Sequence, residues 1–248
     1  MKIIISPAKK MNKDTDSLEV KSMPVFLDKT EALMKWIKAL SREEAKALWK
    51  CNDKLTDLNF ARFASMNLRQ SLTPAVVSYE GIQYQYMAPS VMEQSSHDYI
   101  QKTLRILSGF YGVLKPFDGV VPYRLEMQAK AQAGGCKDLY EFWGEEIYRE
   151  LTKEDSVILN LASKEYSKSV EPYLKKGDIF VTCVFGEWRE EKVIQKGTMA
   201  KMARGEMVKY LAERGAKYPE DAKRFDRLGY CYREELSGEN TYVFLKEG

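Results

Sequence analysis

A chain with LSGFYGVLKPFDGVVPYRLEM at its centre (residues 107–127) cannot be built from regular helices and strands alone. Gly109, Gly112 and Gly119 break any helical or alternating period, and Pro116 and Pro122 break it again. An irregular stretch this long inside a compact domain is a functional loop or a disordered linker. Its aromatic and branched side chains are too numerous for disorder. It must therefore be ordered, and it carries Tyr111, Tyr123, Arg124 and Glu126 as polar tips.

The segments around it alternate between strands and helices. KIII (residues 2–5) reads as a buried strand and SPAKKMN as the loop after it. DKTEALMKWIKAL reads as a helix with Asp28 as N-cap and Leu33, Met34, Ile37 and Leu40 in helical period. SREEAKALWK opens a second helix with a capping box, Ser41 and Glu44, and DKLTDLNFARFASM gives a third. PAVVSYEG reads as a strand, SSHDYIQKTLRIL as one helix and DLYEFWGEEIYREL as another. SVILNLAS is a buried strand followed by a short helix in SKEYSKSVEPYL. GDIFVTCVF is a strand, with REEKVIQ returning beside it. TMAKMARGEMVKYLAERG is a strong helix between an N-cap at Thr198 and a stop at Gly215. GYCYREE and TYVFLKE close the chain as a hairpin. No Gly-, Ser- or Pro-rich linker divides the chain, so residues 1–248 are expected to form one mixed α/β (α+β) domain, a mixed sheet flanked by helices.

Composition narrows the function. No apolar run approaches the roughly 20 residues of a membrane span, and the N-terminus lacks a signal-peptide pattern, so the expectation is a cytoplasmic protein with no membrane partner. Cys51, Cys136, Cys183 and Cys231 are scattered, and His97, read as a surface residue, is the only histidine. No metal site and no cofactor are expected, since phosphate-loop and dinucleotide fingerprints are missing as well. A net charge of +3 is too mild to argue for nucleic acid alone, yet residues 189–227 hold eleven Lys/Arg against seven Asp/Glu. The sequence sets no oligomeric state.

Four stretches can carry chemistry. SPAK places Ser6 and Lys9 at the end of the first strand, where open α/β sheets bind ligands. SGFYG offers Ser108, Gly109, Tyr111 and Gly112, and glycines let backbone N–H groups approach a phosphate. PYRLEM adds Tyr123, Arg124 and Glu126, with Arg124 and Glu126 pointing the same way if the segment is extended. NLASKEYSKSV brings Asn160, Ser163, Glu165 and Tyr166 to a strand end and a helix start, with Ser163 as N-cap of an anion-binding terminus. KMARGE places Lys201 and Arg204 on one helix face. Gly205 costs that helix about 1 kcal/mol relative to Ala, so something must pack closely there.

Taken together and in this order, ISPAK, LSGFYGVLKPFDGVVPYRLEM, LYEFWG, NLASKEYSKSV, KMARG and FDRLGYCY resemble the YaaA family of peroxide-stress proteins over nearly the whole chain. Met202 stands where the family often has a second basic residue. The resemblance implies a bacterial protein of the hydrogen peroxide response that limits free intracellular iron and spares DNA from oxidation. It also implies a fold unlike the common superfolds, and double-stranded DNA as partner through a basic cleft and a helix-hairpin-helix-like element. LSGFYG and IKALSREEAKAL are the two candidates for that element.

Three readings follow. The first is a DNA-binding protein that contacts backbone phosphates with little sequence preference, through Ser6, Lys9, Ser108, Gly109, Tyr111, Gly112, Tyr123, Arg124, Asn160, Ser163, Tyr166, Lys201 and Arg204. The second is an enzyme acting on a nucleic acid or nucleotide, base-modifying or glycosidic, with Glu126 or Glu165 as general acid or base and Lys9 or Lys201 as nucleophile. The third is a scaffold whose polar loop only packs. The first reading predicts that Ser6, Lys9, Arg124, Asn160, Glu165 and Lys201 line one cleft.

Overall fold

A computed structural model describes residues 1–247. Its centre is an eight-stranded mixed sheet flanked by helices, as the sequence predicts. In chain order the elements used below are β1 (Lys2–Ile5), α1 (Leu27–Lys38), α2 (Arg42–Trp49), α3 (Asp53–Ala64), α4 (Ile82–Met87), α5 (Gln94–Thr103), β2 (Leu104–Ser108) and β3 (Gly112–Leu114). They continue with α6 (Leu139–Trp143), α7 (Glu146–Thr152), β4 (Val157–Asn160), α8 (Lys164–Ser167), β5 (Ile179–Arg189), β6 (Lys192–Ile194), α9 (Gly197–Arg214), β7 (Tyr230–Tyr232) and β8 (Thr241–Lys246).

Across the sheet the order is β7-β8-β5-β4-β1-β2-β3, with β6 paired to the far end of β5. The five strands β8, β5, β4, β1 and β2 run parallel, and β7, β3 and β6 are antiparallel additions. Ile3, Ile4 and Ile5 have no accessible surface, as expected of a central parallel strand covered on both faces. Numbered along the chain, the five parallel strands lie in the order 2-1-3-4-5, so the winding direction reverses between β1 and β4. Crevices at the carboxyl ends of strands open at such a reversal. The connections are not those of a doubly wound fold, because β1 reaches β2 only through α1 to α5.

The capping box of α2, the β7–β8 hairpin, the return of β6 and the Gly215 stop of α9 follow the sequence reading. Several other features do not. LRIL leaves the helix and becomes β2, because five consecutive buried residues suit a two-sided strand better than a helix with one wet face. PAVVSYEG is not one strand: only Pro74 and Tyr79–Glu80 pair, in two separate two-residue strands. Ala75–Ser78 makes one helical turn, and the N–H groups of Ala75 and Val76 donate to the carbonyls of Asp118 and Pro116 at 2.9 Å each. Gly144, at φ +50°, splits the 139–152 helix into α6 and α7. Asp28 and Thr198 lie inside the first turns of α1 and α9, whose N-caps are Phe26 and Lys196. His97 is buried rather than exposed, with Nε2 2.8 Å from the Pro89 carbonyl and its ring edge-on to Phe117.

Candidate functional site

The central irregular stretch divides between core and surface. LSGFYG is a β-hairpin joining β2 and β3, with Ser108 opposite Gly112, and not a connection between helices. Ser108 Oγ accepts from the N–H groups of Phe110 (3.1 Å) and Tyr111 (2.9 Å). A β-carbon on Gly109 would lie 2.7 Å from the Leu125 carbonyl oxygen, so this glycine admits the backbone of PYRLEM rather than a phosphate. Gly112, at φ +74°, turns under the Trp143 ring. Ser108, Gly109, Tyr111 and Gly112 are all buried and cannot reach a phosphate, which corrects their reading as contacts. The second hairpin candidate, IKALSREEAKAL, does span a connection between helices, α1 to α2.

Beyond this hairpin the chain surfaces. Tyr123 stays inside, its hydroxyl 2.6 Å from Ser108 Oγ and 2.8 Å from the Tyr79 hydroxyl, and burial pushes it up to about 12. Arg124 and Glu126 then project together, with guanidinium and carboxylate 3.4 Å apart. Lys9 Nζ is 2.8 Å from the other Glu126 oxygen. These three residues edge a cavity of about 420 Å³ at the point where β1 and β4 diverge.

Ser6, Lys9, Tyr123, Arg124, Glu126, Ser163, Glu165, Tyr166, Lys201 and Arg204 all line this cavity, although they come from four separate segments. Ser6 ties two of them together, its Oγ accepting from the Ser163 N–H at 2.8 Å and its carbonyl from the Tyr84 hydroxyl at 3.0 Å. Ser163 is the N-cap of α8 but makes no side-chain cap. That helix has only four residues, and the Ser163 N–H is already given to Ser6. Asn160 belongs to a neighbouring cavity of about 560 Å³, where its Nδ2 donates to Thr182 Oγ1 at 3.2 Å; Arg204 lines both.

Charge in the cleft is uneven. Lys9 and Arg124 share Glu126, whereas Lys201 and Arg204 have no carboxylate partner among the described residues. Burial lowers the Arg204 guanidinium below its ordinary value, as it must for an unpaired cation out of water. Burial raises the Glu165 carboxyl, and neighbouring Glu126 raises it further against the opposing hydrogen bond from the Gln128 N–H. Part of the basic excess at 189–227 is neutralised: Arg189 and Lys196 pair with Glu187, and Arg227 with Glu206 and Glu213. A smaller groove beside the cleft, about 140 Å³ and lined by Trp49, Lys50 and Gln128, shares Lys9, Arg124 and Glu126 with it.

One wall escaped sequence reasoning. Glu80, Gly81, Ile82, Gln83 and Tyr84 form it, and α4 is held there by Gly205 of α9. The mid-helix glycine was the available signal, and the segment it demanded is α4. Among the described residues no group of three or more His, Cys, Asp or Glu side chains is placed to hold a metal, and no helix is long and apolar enough to cross a membrane.

The sequence matches, over residues 1–236, the family described as "Peroxide stress protein YaaA". It is 57% identical to a UPF0246 protein of Agathobacter rectalis, covering 100% of this chain and 99% of that protein. It is 58% identical to a UPF0246 protein of Lachnoclostridium phytofermentans, covering 99% and 96%. A UPF0246 protein of Desulfitobacterium hafniense is 56% identical, with 99% and 98% covered.

Proposed function

The chain belongs to the YaaA family of peroxide stress proteins, and from that membership and the cleft we propose that it binds double-stranded DNA through backbone phosphates as its part in the peroxide response. The observation that carries this reading is the pair of unpartnered cations, Lys201 and Arg204, converging with Lys9 and Arg124 on one cleft. A guanidinium without a carboxylate is poised for a phosphate oxygen. Phosphate contacts position a protein on a duplex without reading sequence. Lys50, in the adjoining groove at the end of α2, extends the cationic track past Lys9. No metal cluster among the described residues supports direct iron binding, so the limiting of free iron follows indirectly in this reading.

Salt dependence tests it. Three phosphate contacts give a log–log slope of about −2.7 and an affinity loss of about 40-fold between 50 and 200 mM salt. Lys201→Ala is expected to flatten the slope by about 0.9, for every duplex sequence alike. Anisotropy titrations of labelled duplex at four salt concentrations measure both. A slope near zero for the wild type refutes the reading.

The half-buried Glu165, raised by burial and lying near Glu126, favours a second reading. Two carboxyls in unlike environments can divide acid and base roles, so the site would act on a nucleic acid or nucleotide. Turnover lost in Glu165→Gln while duplex affinity persists is its signature.

A further inference from the structure

The cleft has two chemically distinct parts. Its rim holds Lys9, Arg124 and Lys201. Its interior is walled by Tyr84, Tyr123 and Tyr166, each at most 7% exposed, together with Ile82, Leu125 and Pro7. The volume, about 420 Å³, is that of a small-molecule pocket, and no duplex can enter it.

Three buried donors on this lining have no acceptor among the described residues: Gln83 Nε2, Arg124 Nε and Arg204 Nε. Gln83 as a whole is only 6% exposed. A buried donor without an acceptor is costly, and native structures hold few of them. Here three lie on one cavity, and two belong to guanidinium groups. Backbone packing fixes this arrangement. Gly205, next to Arg204, lies so close to the Gln83 carbonyl that a β-carbon would come within 2.1 Å of it. The amide and the guanidinium are therefore carried by two helices in direct contact, α4 and α9.

The complementary ligand needs a flat apolar face for the tyrosines, neutral acceptors for Gln83 and one compact anion for the guanidinium groups. Glu126 and Glu165 on the same lining disfavour a polyphosphate. We propose that the interior binds a single nucleotide unit, a heteroaromatic base with one phosphate, presented by an unpaired position in a DNA strand whose flanking backbone lies on the rim. Base–aromatic stacking is tolerant of sequence, and an unpaired base leaves the stack at least cost. This inference rests on the DNA-binding reading above. It adds a preference that phosphate contact alone does not give.

The test compares three labelled DNAs of equal length: fully paired, with one unpaired 2-aminopurine, and with an abasic site at the same position. The wild type is expected to bind the 2-aminopurine duplex about tenfold more tightly than the paired one, the range of a single stacked base, with the abasic duplex near the paired one. The 2-aminopurine fluorescence should change on binding. Gln83→Leu, close in shape, should bring the tenfold ratio to about one. Circular dichroism and melting of the variant check that it folds, and the three wild-type affinities stand without it. Equal wild-type affinity for all three DNAs overturns the pocket while leaving backbone binding intact. A Gln83→Leu protein that folds and keeps the full ratio overturns the role of Gln83. If no duplex binds even at low salt, the DNA reading fails, and titration with the four deoxynucleoside monophosphates decides between sources. Thermal stabilisation by a monophosphate would then assign the pocket to the free nucleotide, and none would overturn it.

Discussion

Gly205→Ala sets two opposed effects against each other. In an exposed helix the change stabilises by about 1 kcal/mol, because alanine loses less backbone freedom than glycine. At position 205 the new methyl would lie 2.1 Å from the Gln83 carbonyl oxygen, and 3.0 Å from Gln83 C and Met87 N. These are backbone atoms of α4 and cannot rotate away, so α4 and α9 must separate by about an ångström. Overpacking of that kind costs about 1–3 kcal/mol, and a backbone clash this short belongs at the upper end. The net expectation is about 2 kcal/mol of destabilisation. For a chain of this size that lowers Tm by about 4–8 °C. Circular dichroism melts of both proteins measure it, and urea titration checks that the slope is preserved. A variant as stable as the wild type, or more so, refutes the close approach. The same separation should also loosen Gln83 from Arg204, so the preference for an unpaired nucleotide should fall with Tm.

Tyr123→Phe removes the hydroxyl that Ser108 and Tyr79 share in the core. It is expected to cost about 1–3 kcal/mol in urea unfolding. Glu165 titrates higher in the folded chain than in the unfolded one, because burial disfavours its charge. The native state then holds more proton between the two values, and stability falls as pH rises through that window. Glu165→Gln should abolish that fall, as a melting series from about pH 4 to about pH 7 would show. Chelator-washed protein should retain less than one zinc or iron per chain by elemental analysis.

Most of the cleft was legible because its residues follow strand ends, and the sequence marks strand ends with a change from apolar to polar residues. Ser6, Lys9, Ser163 and Glu165 were found in that way. Lys201 and Arg204 were found by helical spacing. The SGFYG glycines were misread because a glycine that admits a ligand and one that admits the chain's own backbone look the same in sequence. Only the position of Leu125 distinguishes them. LRIL was misread because a short apolar run after a helix has no period of its own. The α4 wall was missed because its six residues are held by α9, more than a hundred positions away.

The central place of β1 also has a consequence for how the protein is made. Lys2–Ile5 is synthesised well before its partners, Leu104–Ile106 and Ile158–Asn160. At about 5–20 residues per second, roughly 8–30 s pass between the first strand and its second neighbour. Throughout that interval three consecutive isoleucines have no sheet to join, and the helices made in between can cover only part of them. The cleft does not exist until β4 docks and brings Ser163, Glu165 and Tyr166 to its wall. A chain stalled before residue 157 would leave β1 without this neighbour and the cleft unformed.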